Sequence, residues 1–225
     1  MKLRNKNLKI LKSNHVYSEE MEHDACGVGL VASTEGLKSR KVVEYGIDAL
    51  KAVWHRGAID ADGKTGDGAG IHIEIPKDFF EEKIEVTGHK HDNSELCVGM
   101  IFLPRNDYSA QEQCRTIVES ELTKRNFSIY GWRQVPVDPS VLGEKAEQTR
   151  PEITQVLFTY NDKKVVNKSL EQKLYETRRV IEKEALNNQL NNFYICSFSS
   201  KSIIYKGMFL AEALSDFYTD LKDER

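Results

Sequence analysis

The sequence predicts an α+β fold in which mainly antiparallel sheets are covered on their outer faces by helices. Three observations predict it. Segments of apolar period two and of period 3.6 are mixed along the chain without strict strand–helix alternation. Apolar strand-like runs follow one another across short polar links or long excursions, which favours antiparallel pairing. The 225 residues, 40% of them hydrophobic, suffice for one real core.

The elements follow in order. Residues 27–32 (GVGLVA) read as a short buried strand, its glycines allowing close backbone approach. Residues 40–54 place Val43, Ile47, Leu50 and Trp54 on one helical face, and Gly57 stands at the usual stop position. Residues 61–70 (ADGKTGDGAG) hold four glycines and form a loop. A strand follows, with Ile71, Ile73 and Ile75 alternating with His72 and Glu74 until Pro76 closes it. Residues 85–94 are a polar loop, and Leu96–Leu103 (LCVGMIFL) is a central strand. Residues 110–125 are an amphipathic helix, 127–137 strand and turn, and 153–160 another strand. The clearest helix spans 169–187, with Ser169 as cap and Gln172 completing a capping box. Residues 192–198 and 201–206 read as a hairpin joined by Ser199-Ser200, and 209–221 as a last helix through Leu210, Leu214, Phe217 and Leu221. Trp54 and Trp132 are read as core residues.

Composition excludes several classes of function. The net charge is −3 and the isoelectric point about 6.1, with no basic stripe interleaved with aromatics, so nucleic acid is not an expected partner. No apolar run approaches the roughly 18 residues of a membrane span. Residues 1–22 begin basic but lack the apolar stretch of about 7–15 residues that secretion requires, so the cytoplasm is the default compartment. The four cysteines, Cys26, Cys97, Cys114 and Cys196, form no C-x-x-C pair and match no zinc spacing. Cys97, Cys114 and Cys196 lie in apolar periodic segments and read as buried, inert thiols. No metal is expected: His89-Lys90-His91-Asp92 reads as a solvated loop.

Cys26 is different. It follows 25 mostly polar residues and precedes Gly27-Val28-Gly29. A free thiol of pKa about 8.5 is only a few per cent thiolate at neutral pH and needs a base. His23 sits on a polar leader, and His55 and Arg56 reach Cys26 only through folding. Cleavage between Ala25 and Cys26 offers another base, the nucleophile's own α-amino group, whose pKa is about 7.7–8.0. The residues alone leave two readings open: an N-terminal nucleophile behind a 25-residue propeptide, or a buried cysteine in a strand.

The string HDACGVGLVAS, followed by LKAVWHRGAIDADGKTGDGAGIHIEIPKDFF, resembles the start of the glutaminase domain of glutamate synthase large subunits, a class II (N-terminal-nucleophile) glutamine amidotransferase. The segments GWRQVPVD, LYETRRVIE, FYICSFSSKSIIYKGM and FYTDLKDER carry the resemblance across roughly residues 14–225. Amidophosphoribosyltransferase and asparagine synthetase amidotransferases share Cys-Gly and H-R-G, but GWRQVPVD and YKGM favour glutamate synthase. The resemblance implies an N-terminal-nucleophile hydrolase fold, two mainly antiparallel sheets between helices (αββα). It divides the chain into a leader, 1–25, and the N-terminal part of an amidotransferase domain, 26–225. It implies Cys26 as nucleophile, forming a γ-glutamyl thioester, with ammonia passed on to join 2-oxoglutarate. Arg56 is given a supporting role, orienting the N-terminus or the substrate; its alternative is a structural arginine at a helix end.

Gly66-Asp67-Gly68-Ala69-Gly70 lacks the Lys-Ser/Thr of a phosphate loop and reads as a tight turn beside the catalytic strand, with Asp67 bonding local backbone. No cofactor is assigned to this chain; FMN and an iron–sulfur cluster are implied for the parent enzyme. The implied partners are L-glutamine, the remaining synthase domains, and a small electron-transfer subunit or ferredoxin. The family's oxyanion-hole motif H-N-G-E and carboxylate-binding motif R-[YF]-S-T-N-T do not occur: the chain has no Asn-Gly dipeptide. The fold is therefore expected to be incomplete at its C-terminus, and the isolated chain to hydrolyse glutamine weakly or not at all. A catalytically silent, amidotransferase-like scaffold or binding domain is the alternative.

Overall fold

The structure, a computed structural model, describes residues 27–53, 58–91, 94–162 and 167–225, together with Lys6 and Ile10. Helix α1 (Arg40–Ala52) starts where the Ser39 hydroxyl accepts the Lys41 N–H at 3.2 Å. It stops at Ala52, short of Trp54–Gly57, which lie outside the described residues. Strand β1 (Ala69–Glu74) alternates as expected, Ile71 and Ile73 half-buried, His72 and Glu74 exposed. Helix α2 (Lys77–Val86) was not anticipated. Its buried Phe79, Phe80 and Ile84 are too few and too irregularly spaced for a clear 3.6 period, and no side chain caps its start.

Strand β2 (Leu96–Leu103) leads into α3 (Tyr108–Lys124), whose Asp107 cap accepts the Ala110 N–H at 2.9 Å. Strand β3 (Phe127–Gln134), the short helix α4 (Glu144–Thr149) and strand β4 (Glu152–Tyr160) follow. Helix α5 (Asn167–Asn187) begins two residues before Ser169, so that serine lies inside the first turn. Gln172 donates forward to Glu176 at 3.0 Å instead of closing a capping box. Strands β5 (Tyr194–Ser199) and β6 (Ser202–Gly207) and the four-residue helix α6 (Leu214–Phe217) complete the chain.

Among the described residues two antiparallel sheets result. One runs in the order β3-β4-β2-β5, the other pairs β1 with β6. Strand β2 is central, as its unbroken apolar run predicts, and both its faces are buried. Leu96, Val98 and Met100 point into a core shared with β6, α2 and the C-terminal turns. Cys97, Ile101 and Leu103 point into a second core against Cys114, Val118 and Leu122 of α3 and Leu170, Leu174 and Ile181 of α5. The layers are α3/α5, the four-stranded sheet, the β1–β6 sheet, and α1 on its outer side. This is the α+β, two-sheet arrangement that the sequence predicts. Each fully buried Leu, Ile, Val, Phe or Met contributes about 1.5–3 kcal/mol.

Three expectations are corrected. Residues 27–32 form no strand, and Val28 and Leu30 are 89% and 91% exposed, because no described segment pairs with them. The hairpin is absent. Strand β5 pairs with β2 (Met100 opposite Ser197) and β6 with β1 (Ile71 opposite Tyr205), so the Ser199–Ser200 link is a corner between sheets. Glu171 of α5 holds that corner, accepting the Ser200 N–H and hydroxyl, both at 2.8 Å, and the Ser199 hydroxyl at 3.0 Å. The C-terminal helix is broken into α6 and the flanking 3-10 turns Ala211–Ala213 and Thr219–Lys222. Tyr218 leaves the helical region at φ −92° and ψ 95°, bridges to Val137, and donates its hydroxyl to the Lys206 carbonyl at 2.8 Å. These tertiary partners outbid the local helical period.

Candidate functional site

Strand β1, helix α1 and residues 27–38 enclose an open groove of about 1100 Å3. Its floor is Gly70 to Glu74 of β1 with the adjoining Ile75, one wall is the α1 face of Val43, Gly46 and Leu50, and Gly27 lies in its lining. Glu224 and Arg225 close one side. The rim charges are largely paired: Lys38 with Glu74 at 2.6 Å, Arg40 with Glu44 at 3.2 Å, and Arg225 with Asp223 at 2.8 Å. The Asp223 carboxyl is held down to about 2 by its bond from Arg225. Apolar walls with a charged rim suit a small polar substrate held by a few directed groups.

Cys26 and Arg56 lie outside the described residues, as do Trp54, His55, Gly57 and Asp92. Their described neighbours converge on β1. Gly27, which follows Cys26, lines the groove. Ala58, two residues after Arg56, accepts the Asp67 N–H at 3.3 Å, and Ile59 bridges Gly66 just before β1 begins.

The glycine-rich loop is built differently from expectation. The side chain of Asp67 is exposed, and the carboxylate that closes the turn is that of Asp62. Asp62 accepts the Thr65 hydroxyl at 2.5 Å, the Thr65 N–H at 2.7 Å and the Lys64 N–H at 2.9 Å. The Thr65 hydroxyl bond, then these N–H groups, hold its carboxyl down to about 2. Gly63 sits at φ 69°, a left-handed position that glycine adopts without strain. Gly66 is pressed against the chain at 209–210, where a Cβ would lie 2.7 Å from the Phe209 carbonyl oxygen. Lys145 of α4 pairs with Asp60 at 2.6 Å, tying the loop to the body. The spacing Asp62-x-x-Thr65 is a turn signal that sequence reasoning passed over in favour of the GDGAG string.

The histidine loop also differs from expectation. The His91 side chain is only 8% exposed and its Nδ1 lies 3.0 Å from Glu81. His89 Nδ1 meets the Thr87 hydroxyl at 3.1 Å, and both rings stand edge-on to Tyr130. Among the described residues no group of three or more His, Cys, Asp or Glu is placed to hold a metal. Trp132 is half-buried, its Nε1–H bonded to Glu119 at 2.7 Å beneath the Arg115 guanidinium. Cys97, Cys114 and Cys196 are buried as expected. Among the described residues no helix is long and apolar enough to cross a membrane.

A network not anticipated from sequence joins the sheets. Arg133 of β3 donates to both carboxylate oxygens of Asp220, at 2.7 and 2.5 Å, and to Gln155 of β4 at 2.7 Å. The Tyr205 hydroxyl of β6 donates to the same carboxylate at 3.4 Å. Phe79 of α2 lies under the Arg133 and Arg225 guanidinium groups, with centroid distances of 5.3 and 5.5 Å. This network anchors the segment that brings Glu224 and Arg225 to the groove.

Residues 26–225 match the family described as glutamine amidotransferases class-II. The chain is 55% identical over 219 residues to the NADPH glutamate synthase large chain of Azospirillum brasilense, covering 97% of this chain and 14% of that one. It is 38% identical over 203 residues to ferredoxin-dependent glutamate synthase 2 of Synechocystis, covering 90% of this chain and 13% of that one. Against the chloroplastic ferredoxin-dependent glutamate synthase of Spinacia oleracea it is 37% identical, covering 91% and 13%. The chain thus spans about one seventh of the length of these relatives.

Proposed function

From the premise that this chain belongs to the class II glutamine amidotransferase family, we propose that it forms the glutamine-hydrolysing part of a cytoplasmic glutamate synthase. The observation that carries the reading is 55% identity across nearly the whole chain to one such synthase. Cys26, His55-Arg56-Gly57-Ala58 and Gly66-Asp67-Gly68-Ala69-Gly70 all stand in that matched stretch.

Hydrolysis of the Ala25–Cys26 peptide bond consumes one water, leaving a carboxylate on Ala25 and an α-amine on Cys26. Residues 1–25 are then the leader, and 26–225 belong to the amidotransferase domain. The amine, of pKa about 7.7–8.0, takes the thiol proton as sulfur attacks the glutamine side-chain carbonyl. The C–N bond breaks, the proton passes to the leaving nitrogen, and ammonia departs. A γ-glutamyl thioester remains on Cys26. Water, deprotonated by the same amine, hydrolyses it to glutamate and restores the thiol. Arg56 holds the substrate carboxylate or the new N-terminus by charge-assisted hydrogen bonds. The groove that begins at Gly27 supplies a sheltered place for the substrate beside the nucleophile.

In the whole enzyme the ammonia joins 2-oxoglutarate, and the FMN and iron–sulfur centres of domains outside this chain carry the two electrons of that reductive amination. The partners are therefore L-glutamine, those domains, and a small electron-transfer subunit or ferredoxin.

The test treats the full-length protein with the electrophilic glutamine analogue 6-diazo-5-oxo-norleucine and maps the adduct by mass spectrometry. The adduct is expected on Cys26 as the first residue of the mature chain, with ammonia release abolished by Cys26→Ala. Ammonia release from a protein that still begins at Met1 would rule the mechanism out, and no adduct at all would favour a silent scaffold.

A further inference from the structure

A buried carboxylate joins the floor of the groove to one of its sides. The Asp220 side chain, 5% exposed, accepts a two-pronged bond from Arg133 of β3 and a hydroxyl bond from Tyr205 of β6. Tyr205 stands opposite Ile71 of β1, the strand that forms the floor. Just beyond Asp220 in the chain, Glu224 and Arg225 close one side of the groove. A second route to that side runs through space. The Phe79 ring lies 5.3 Å from the Arg133 guanidinium and 5.5 Å from that of Arg225, and Arg225 donates to Glu82 on the same helix, α2. Arg133 also bonds Gln155 of β4 at 2.7 Å, so the four-stranded sheet is tied to the same point.

A buried ion pair adds little stability over apolar residues of the same volume, whereas a two-pronged bond fixes both distance and angle. We propose that Asp220 is a positioning residue for glutamine: through Arg133 and Tyr205 it sets the spacing between the β1 floor and the side formed by Glu224 and Arg225, and with it the affinity of the groove. The inference rests on the glutaminase reading above. Asp220 itself does not line the groove, so it acts only through these neighbours. The reacting thiol belongs to a different segment of the chain. The contacts that this side makes with the body of the substrate are therefore alike before and during attack. Losing them raises KM and leaves kcat in place.

Glutamine hydrolysis by the processed full-length protein tests this with three single variants. Asp220→Asn keeps the size and one acceptor oxygen but turns an NH2 toward Arg133, so the two-pronged bond is lost. Tyr205→Phe removes only the hydroxyl link to the floor. Ile101→Ala, in the second core, lowers stability away from the groove and serves as the control. Asp220→Asn is expected to raise KM at least ~5-fold with kcat within about 2-fold of the unsubstituted protein, and Tyr205→Phe to raise KM by a smaller factor. Ile101→Ala is expected to leave KM unchanged. An unchanged KM in Asp220→Asn overturns the proposal, and so does an equal rise in Ile101→Ala, which would mark lost stability and nothing more. If Asp220→Asn does not fold, Tyr205→Phe decides by the same criterion. Amide exchange gives a reading free of activity: peptides covering 69–75 and 221–225 are expected to exchange faster in Asp220→Asn than in Ile101→Ala, and equal exchange overturns the proposal. Ammonia release missing from the unsubstituted protein would sink the glutaminase reading instead, and the exchange comparison would still decide whether Asp220 sets the groove.

Discussion

Three thiols are shut inside the fold. Cys97, Cys114 and Cys196 are 0%, 1% and 3% exposed. Burial pushes the Cys114 and Cys196 thiols up to about 11 and that of Cys97 higher still. At pH 8 a thiol of pKa about 11 is thiolate in roughly one molecule per thousand. Iodoacetamide applied to the native processed protein is therefore expected to modify Cys26 at least ~100-fold faster than the other three, read by peptide mass spectrometry. Appreciable native-state alkylation of Cys97 would show the core to be open. Asp62 offers a pH test. Its carboxyl is depressed from 3.8 to about 2 in the fold, so its contribution is present above 3.8 and is lost as pH falls through about 2. The Lys64 and Thr65 amides are expected to lose exchange protection across that window and in Asp62→Asn at neutral pH. Protection that survives in the variant would assign the turn to other bonds.

Between elements, the Arg133–Asp220 pair connects β3 to the C-terminal turn, with side chains 13% and 5% exposed. Removing one partner strands a mostly buried charge, and breaking such a pair costs about 3–5 kcal/mol. Asp220→Ala is expected to lower unfolding free energy by about that amount in urea titration. The double variant Arg133→Met/Asp220→Ala is expected to lose less than Asp220→Ala alone, because no charge is left unpaired. Equal losses in the two variants would mean that packing, rather than the stranded charge, sets the cost. The same pair explains why residues 209–221 do not form one helix: Asp220 is committed to Arg133, and Tyr218 to Lys206. Likewise Glu171 turns an apparent hairpin into a crossing between sheets by accepting three donors from Ser199 and Ser200. Neither feature leaves a mark in hydrophobic period, because both depend on residues distant in sequence.

For the whole molecule, the two cores meet at β2. Met100 and Ile101 are adjacent, point to opposite faces, and are both 0% exposed. Met100→Ala and Ile101→Ala are each expected to cost about 2–5 kcal/mol. In β1 the sequence also alternates, but one face meets solvent, so His72→Ala and Glu74→Ala are expected to stay within about 0.5 kcal/mol. Denaturant titration of the four variants checks the pattern. A large loss in the β1 pair with none in β2 would place the core elsewhere.

The sequence by itself determined strands β1 to β4, helices α1, α3 and α5 to within two residues, and the burial of three thiols. It also singled out Cys26 and Arg56, through motifs whose order and spacing are shared with one family. These are local properties: a period of two or 3.6 reports which face of a segment is apolar, and a motif is read within a few residues. Only the tertiary structure decided that β5 and β6 part to different sheets, that Tyr218 interrupts the last helix, that Asp62 rather than Asp67 closes the loop, and that residues 27–32 form no strand with any described segment. Each of these outcomes is a competition among partners far apart along the chain. Its result depends on which donor, acceptor or sheet edge is within reach once the layers have packed.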